Sequence, residues 1–221
     1  MTLARTTSFA IGAAVLALGL TADRANATPV TPSDIGALFF VDYNLADTLT
    51  ARFTWTLDAV VDDVWSFTVD INNTSSNSPD ANRITSFAFG TAPAASGITL
   101  TDDDNGLWND AFASSVGGAE YQFFDLNACV HAGPNCTGGG GGGVAGQGTS
   151  TLSFDLTADT DTLIFGDFAT RWQSININGM DSTVLGGTVA PIPLPAAGWM
   201  MLAGLIGLGV VARRRSKAET A

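Results

Sequence analysis

The residues with the most definite chemistry are Cys129 and Cys136, the only two cysteines of the chain, with six residues between them. In an exported protein, two cysteines at this spacing predict a disulfide. The alternative is a zinc site completed by His131, the only histidine, although this spacing is unusual for zinc and no general base is adjacent. Any Ser-His-Asp triad would also need His131, and no G-x-S-x-G motif is present. We expect a disulfide, and a surface-loop histidine without a catalytic role.

The acidic residues suggest a metal site at one point only. Asp102, Asp103 and Asp104 are consecutive, and hard carboxylate oxygens are ligands that calcium prefers. The pattern of a complete calcium loop is missing, so the alternative is a solvated turn. A glycosidase needs two carboxyl groups, and Glu120 with any of the aspartates would nominally supply them. Such residues are too common here to indicate an enzyme, so we expect no catalytic activity and no cofactor other than calcium.

Two further segments have both a functional and a structural interpretation. The run Gly138–Gly143 lacks the lysine that a phosphate-binding loop requires, so it predicts a flexible surface loop beside the cysteines. Trp108 or Trp172 would serve as a platform on which a sugar ring stacks. Alternatively, this segment is a core strand in which Trp172 is buried, and Arg171 extends to solvent or pairs with an aspartate.

The elements that would position these residues are strands. Apolar and polar residues alternate with a period of two, which is typical of strands with one buried face. The clearest stripes are predicted to be buried: Phe53, Trp55, Leu57, Ala59, Trp65, Phe67, Val69, Ile71, Leu152, Phe154 and Leu156. Two of these stripes predict a hairpin over about 49–72 that turns at Val60–Val64. Further strands are predicted over 36–43, 83–90, 96–101, 119–125, 162–168, 170–178 and 183–189, with one helical turn over Asp110–Val116. We therefore predict an all-β, antiparallel β-sandwich of the jelly-roll type.

The charge distribution excludes one class of partner. Residues 28–195 contain 18 Asp and one Glu against three Arg, and no Lys. Nucleic-acid binding depends on clustered basic residues that neutralise phosphates. We therefore expect no nucleic-acid partner, and repulsion from anionic surfaces.

The first 27 residues have the pattern of a secretory signal peptide. Arg5 provides a positive start, an apolar stretch of 12 residues follows, and Ala25-Asn26-Ala27 is an A-x-A cleavage site. Twelve apolar residues are too few to span about 30 Å of hydrocarbon. We expect export, with cleavage by signal peptidase near Ala27.

The last residues, 191–221, form a three-part signal. A proline-rich segment comes first, then 17 apolar residues over 196–212, then an arginine cluster. The apolar stretch is just long enough for a transmembrane helix, and the cluster Arg213, Arg214 and Arg215 is a cytoplasmic stop signal that leaves residues 28–190 outside the inner membrane. Because prolines cannot continue the helix backwards, the preceding segment stays extended and accessible.

This ending resembles the PEP-CTERM sorting domain in its VPLPA-type variant. The motif residues are Pro191, Ile192, Pro193, Leu194, Pro195 and Ala196, with Ile192 where the variant has Val. The resemblance implies recognition by an exosortase, a membrane transpeptidase of Gram-negative bacteria that make extracellular polysaccharide. It also implies removal of the tail and delivery to the cell surface or matrix. The two cysteines, the glycine run and the segment 165–175 are similar to the PEP-CTERM subgroup called cistern, which implies no particular activity.

Together these features predict an exported ectodomain, residues 28–190, that is transiently anchored in the membrane. We expect a structural or interaction role in a polysaccharide matrix. The alternatives are a carbohydrate-binding or calcium-dependent adhesion module, and then an extracellular hydrolase.

Overall fold

The computed structural model describes residues 27–45, 48–75, 81–137, 141–177 and 180–190. The expected signal peptide, apart from Ala27, and the whole of the expected sorting signal over 191–221 lie outside these ranges. The strands of the described part are β1 (Thr28–Val30), β2 (Leu38–Leu45), β3 (Leu49–Val61), β4 (Val64–Asn73), β5 (Arg83–Ala92), β6 (Gly97–Asp103), β7 (Asp110–Phe112), β8 (Ala128–His131), β9 (Thr149–Thr157), β10 (Leu163–Ile177), β11 (Met180–Gly186) and β12 (Thr188–Ala190).

The strands form two antiparallel six-stranded sheets. Sheet I has the order β1-β10-β5-β8-β7, and β11 also pairs with β10. Sheet II has the order β12-β2-β3-β4-β9-β6. Buried residues of both sheets share one hydrophobic core, so the prediction of an all-β, antiparallel sandwich is confirmed.

The core is built around Trp55, which is fully buried in β3. Seven phenylalanine rings from both sheets lie with their centroids 5.1–6.3 Å from its ring: Phe39, Phe67, Phe87, Phe89, Phe154, Phe165 and Phe168. Most of these pairs are edge-to-face, the arrangement that the quadrupoles of aromatic rings favour. The alternation in the sequence therefore places large aromatic residues on the two facing inner surfaces.

The hairpin predicted over about 49–72 is confirmed, with one change in its register. Its turn consists of Asp62 and Asp63 only, and Asp62 has the positive φ of 53° that tight hairpin turns need. The pairing of β3 with β4 shifts between Leu57 and Ala59. The prediction that Ala59 is buried is wrong, because this shift moves Ala59 out of the inward-facing row.

Three other local predictions are also wrong. Residues 119–125 form turns rather than a strand, and Asp110–Val116 begins with strand β7 rather than a helical turn. The two strands predicted over 162–168 and 170–178 are one strand, β10, because an irregularity between Phe165 and Phe168 interrupts the alternation without ending the strand.

The chain changes sheets across a single residue near its described end. β11 belongs to sheet I, β12 belongs to sheet II, and only Gly187 separates them. The Gly187 N–H donates a hydrogen bond to the Phe168 carbonyl oxygen at 2.8 Å. A Cβ at this position would overlap the side chains of Val41 and Tyr43, so the close approach requires glycine.

No helix within the described ranges is long and apolar enough to span a membrane. The transmembrane helix expected over 196–212 lies outside those ranges.

Candidate functional site

The predicted disulfide joins Cys129 of β8 to Cys136, with 6.3 Å between the two Cα atoms. Both cysteines are buried. The zinc alternative with Cys129, His131 and Cys136 is therefore wrong, because the two sulfur atoms bind each other.

His131 is not the surface-loop residue that its sequence context suggested. It ends strand β8, is only 5% exposed, and its Nδ1 lies 2.8 Å from the Gly133 carbonyl oxygen. Its ring also packs against Phe112. The imidazole therefore has a structural place in the fold.

The carboxylates of Asp102, Asp103 and Asp104 do not converge on one point. Asp102 accepts a hydrogen bond from the Asp103 N–H at 2.9 Å, and Asp103 accepts one from the Trp108 N–H at 2.8 Å. In the part of the chain that the structure describes, no three His, Cys, Asp or Glu side chains come together as a metal site would require. The structure thus offers no support for the calcium hypothesis at this turn, where two of the carboxylates stabilise the backbone.

The hypothesis of a sugar platform at Trp108 or Trp172 is wrong. Trp172 is fully buried and Trp108 is 4% exposed. The indole N–H of Trp108 donates to the Ser150 hydroxyl at 3.1 Å inside the protein. Neither ring presents a face to a ligand, so the core interpretation holds for both.

Residues 113–127, here called the strap, cross the outer face of sheet I between β7 and β8. A second cluster of buried residues lies beneath the strap, including Ala88, Ala169 and the disulfide. Arg171 of β10 holds the strap through Glu120, with 2.9 Å between its Nε and the Glu120 Oε2. Arg171 was expected to reach solvent or pair with an aspartate, but it is 8% exposed and its partner is the glutamate.

Tyr121 fixes the middle of the strap. Its hydroxyl donates a hydrogen bond to the Cys136 carbonyl oxygen at 3.1 Å and lies 3.1 Å from the Ser86 hydroxyl. The side chain is fully buried. Burial raises the pKa of Tyr121 to about 12, because the phenolate would lose its hydration.

Tyr43 and Tyr121 are the only tyrosines, and burial raises the pKa of both phenols above its ordinary value. In both tyrosines the folded pKa exceeds the unfolded value of about 10. The free energy of unfolding is therefore not lowered by these phenols below about pH 10, and it falls as the pH rises further. A pKa of about 12 for Tyr121 in the folded state, against 10 in the unfolded chain, corresponds to a loss of about 2–3 kcal/mol in the free energy of unfolding at high pH. We expect no phenolate absorbance in the folded protein at about pH 10.5, and its appearance together with unfolding at higher pH. Ordinary titration near pH 10 with the circular dichroism unchanged would contradict this.

The strap ends in a cleft beside β5 and β10. The cleft has a volume of about 260 Å³ and is lined by Gly90, Thr91, Ala92, Asp125, Asn127, Ile164, Gly166 and Asp167. Gly90 permits the close approach of the strap, since a Cβ there would overlap the Asp125 carbonyl oxygen. The cleft thus forms where two strands present glycines and the strap leaves the sheet.

An irregularity in β10 orients one acidic residue toward the cleft. Phe165 and Phe168 are both buried, and the pairing of β10 with β5 shifts between them. Gly166 and Asp167 therefore occupy the place of one outward-facing residue, as in a β-bulge, which often redirects a side chain. The Asp167 Oδ2 accepts a hydrogen bond from the Asp125 N–H at 2.9 Å.

Asn127 makes the opposite side of the cleft rigid. Its Oδ1 accepts from both the N–H and the hydroxyl of Thr91, at 3.0 and 3.1 Å, and its Nδ2 donates to the Thr91 carbonyl oxygen at 2.8 Å. The end of β5 is thereby tied to the end of the strap. These hydrogen bonds fix the lining of the cleft before any ligand arrives.

The cleft combines acidic groups with exposed apolar surface. Ile164 in its lining is 38% exposed, and Phe123, two residues before Asp125 on the strap, is 82% exposed. Phe123 is the most exposed of the large apolar residues that the structure describes. Carboxylates accept hydrogen bonds from hydroxyl or ammonium groups, and apolar rings pack on the faces of sugars.

Sequence reasoning missed this cleft because it assigned 119–125 to a strand, in which Phe123 and Asp125 would alternate with neighbours on a sheet. Phe123 and Phe124 are adjacent in the sequence, and this pair was a usable signal against a strand. Adjacent residues of a strand point to opposite faces, so the two rings could not both be buried on one face.

The glycine run also differs from expectation at its described end. Gly143 has a φ of 86° and donates to the Leu107 carbonyl oxygen, and Val144 pairs with Ile84, so this part packs against β5.

The sorting residues Pro191–Ala196 and Arg213–Arg215 lie outside the described residues. No protein-family model matches the chain, and no curated protein or solved structure matches it.

Proposed function

We propose that this chain is an exported, non-catalytic protein that binds polysaccharide at the cell surface or in the extracellular matrix. The observation that carries the proposal is the cleft: a cavity lined by two acidic residues, Asp125 and Asp167, next to a segment that exposes Phe123. Sugar-binding sites in proteins pair hydrogen-bond acceptors for the hydroxyl groups with an apolar surface for the ring.

Export is proposed from both ends of the sequence and from the disulfide. Disulfides persist in oxidising compartments outside the cytoplasm. The sequence at 191–221 supports sorting by an exosortase after signal peptidase has removed the residues before Thr28. The strongly acidic body favours neutral or cationic saccharides as ligands, because it repels anionic ones.

The proposal is tested by replacing Phe123 with alanine. Removal of an exposed ring that packs on a sugar is expected to weaken binding on the order of 10-fold, which corresponds to about 1.4 kcal/mol. Binding of the exported protein to a panel of bacterial polysaccharides and short oligosaccharides is measured by calorimetry. Val61→Ser is the matched control, since Val61 is 65% exposed at the tip of the β3–β4 hairpin and far from the cleft in the sequence.

If the unchanged protein binds no saccharide, the proposed function is wrong. If Phe123→Ala and Val61→Ser bind as tightly as the unchanged protein, saccharide is bound elsewhere and the cleft is not the site.

A further inference from the structure

We propose that the expected sorting segment, residues 191–195, docks on the domain while the tail is still present, by continuing strand β12 along the edge of β2. The described part of the chain ends inside this pairing, with Ala190 opposite Phe40. In the same register, the next two residues of the chain come to lie opposite Phe39 and Leu38. Within the described ranges, no strand pairs with these two residues of β2 from this side.

The edge leaves apolar surface uncovered on the outer face of sheet II. Leu38 is 43% exposed, and Ile35, three residues before it, is 51% exposed. A Cβ on Gly36 would meet no atom within 4 Å, so the space beside this residue is open. Paired residues of antiparallel strands lie side by side on one face. In the docked segment, Ile192 therefore covers Leu38, and Leu194 points to the same face beside Gly36.

The inner face at the same edge has an opening toward the core. An apolar hollow of about 10 Å³ lies there, and its lining includes Val30 of β1, Phe39 of β2 and Leu57 of β3. Val189 already packs against the core from this edge, and Pro191 is the next residue that points to the same face. The proline ring comes to lie over the hollow, opposite Phe39. Removal of this apolar surface from water stabilises the docked segment.

The alternating prolines suit an outermost strand. Pro191, Pro193 and Pro195 alternate with Ile192 and Leu194. In an antiparallel pair, the backbone N–H groups of alternate residues point to the same edge. One edge of the segment therefore has no donors, and the other edge has two. The segment pairs with β2 through its two donors and turns the proline nitrogens to solvent, which is where sheets tolerate proline.

The test is disulfide cross-linking in the full-length protein, taken from cells without the host exosortase so that the tail is retained. Leu38→Cys is combined with Ile192→Cys, and the matched control combines Thr56→Cys with Ile192→Cys. Thr56 lies opposite Leu38 on β3, one strand farther from the docked tail. Its Cα is then about 10 Å from that of residue 192, beyond the distance of about 7 Å that a disulfide can bridge. Cys129 and Cys136 do not compete, because both are buried and they bind each other.

We expect the pair at Leu38 to cross-link at least about 10-fold more than the pair at Thr56, because a docked tail is held at one place on the sheet. Equal cross-linking of the two pairs would show an undocked tail and overturn the inference, and so would the absence of cross-linking in both. Cross-links between two chains, seen as dimers, would overturn it in favour of pairing with a second copy.

Hydrogen exchange provides a second measurement, which needs no added cysteine. We expect the Ile192 amide of the full-length protein to exchange at least about 10-fold more slowly than in Leu38→Ser, which lacks the apolar partner. Phe123→Ser is the control, since Phe123 is 82% exposed on the strap, over the other sheet. This variant should leave the exchange unchanged. An Ile192 amide that exchanges as fast as in an unstructured peptide would contradict the docking.

Discussion

Replacing Trp55 by alanine is expected to lower the free energy of unfolding by about 3–5 kcal/mol, the usual cost of deleting a large aromatic side chain from a core. Trp55 is fully buried and is surrounded by seven phenylalanine rings from both sheets. The cavity left by the indole cannot close easily, because rigid rings from opposite sheets line it. Urea unfolding followed by circular dichroism measures the change.

The matched control is Phe123→Ala, which removes an aromatic ring that is 82% exposed. Exposed substitutions usually change stability by no more than about 0.5 kcal/mol. A loss at Trp55→Ala as small as that at Phe123→Ala would show that Trp55 is not the centre of the core. If Trp55→Ala does not fold at all, the milder Trp55→Phe provides the comparison.

Replacing both Pro193 and Pro195 by alanine is expected to block removal of the tail, and to leave most of the protein as a full-length membrane form. In the proposed sorting, the proline segment presents an extended backbone to the membrane transpeptidase, and alanines would allow the transmembrane helix expected over 196–212 to extend backwards through it. Deleting Arg213–Arg215 should weaken retention at the membrane, since charges at a helix end resist transfer through it. Mass spectrometry and membrane fractionation, with and without the host exosortase, give the readout.

Pro134→Ala is the control for a proline substitution outside the segment, since Pro134 is an exposed residue between the two cysteines. It should be processed normally. If the tail persists on surface-displayed protein from cells with an active exosortase, residues 196–212 are an ordinary anchor and the sorting proposal is wrong.

Sequence patterns predicted the strands best where one face is buried and the other solvated. Phe53, Trp55 and Leu57 alternate with polar residues, and this period reports directly on burial in a sandwich. The patterns failed where tertiary contacts decide the conformation. The strap contains Tyr121, which is buried although its neighbours form turns, because its partners, Ser86 and Cys136, are distant in sequence.

The disulfide was predictable because oxidation chemistry and spacing leave few alternatives for two cysteines in a chain that is expected to be exported. The cleft was not predictable, since Asp125 and Asp167 meet only through the irregular pairing of β10 with β5 and through the missing side chain of Gly90. Local sequence carries no information about which aspartates share a cavity. The aspartates adjacent in sequence, Asp102 to Asp104, turned out to face different partners.

The single-residue crossing at Gly187 determines how the domain would bear force. In a protein attached through its C-terminal end, tension enters the domain at Ala190. It first pulls on β12, which pairs with β2 over three residues in sheet II. Once that pairing yields, the load passes through Gly187 to β11, which is held along β10 in the other sheet. The two sheets therefore resist extension one after the other, first through the short pairing of β12 with β2 and then through the longer pairing of β11 with β10. The edge strands can separate while Trp55 and the phenylalanine rings around it stay packed.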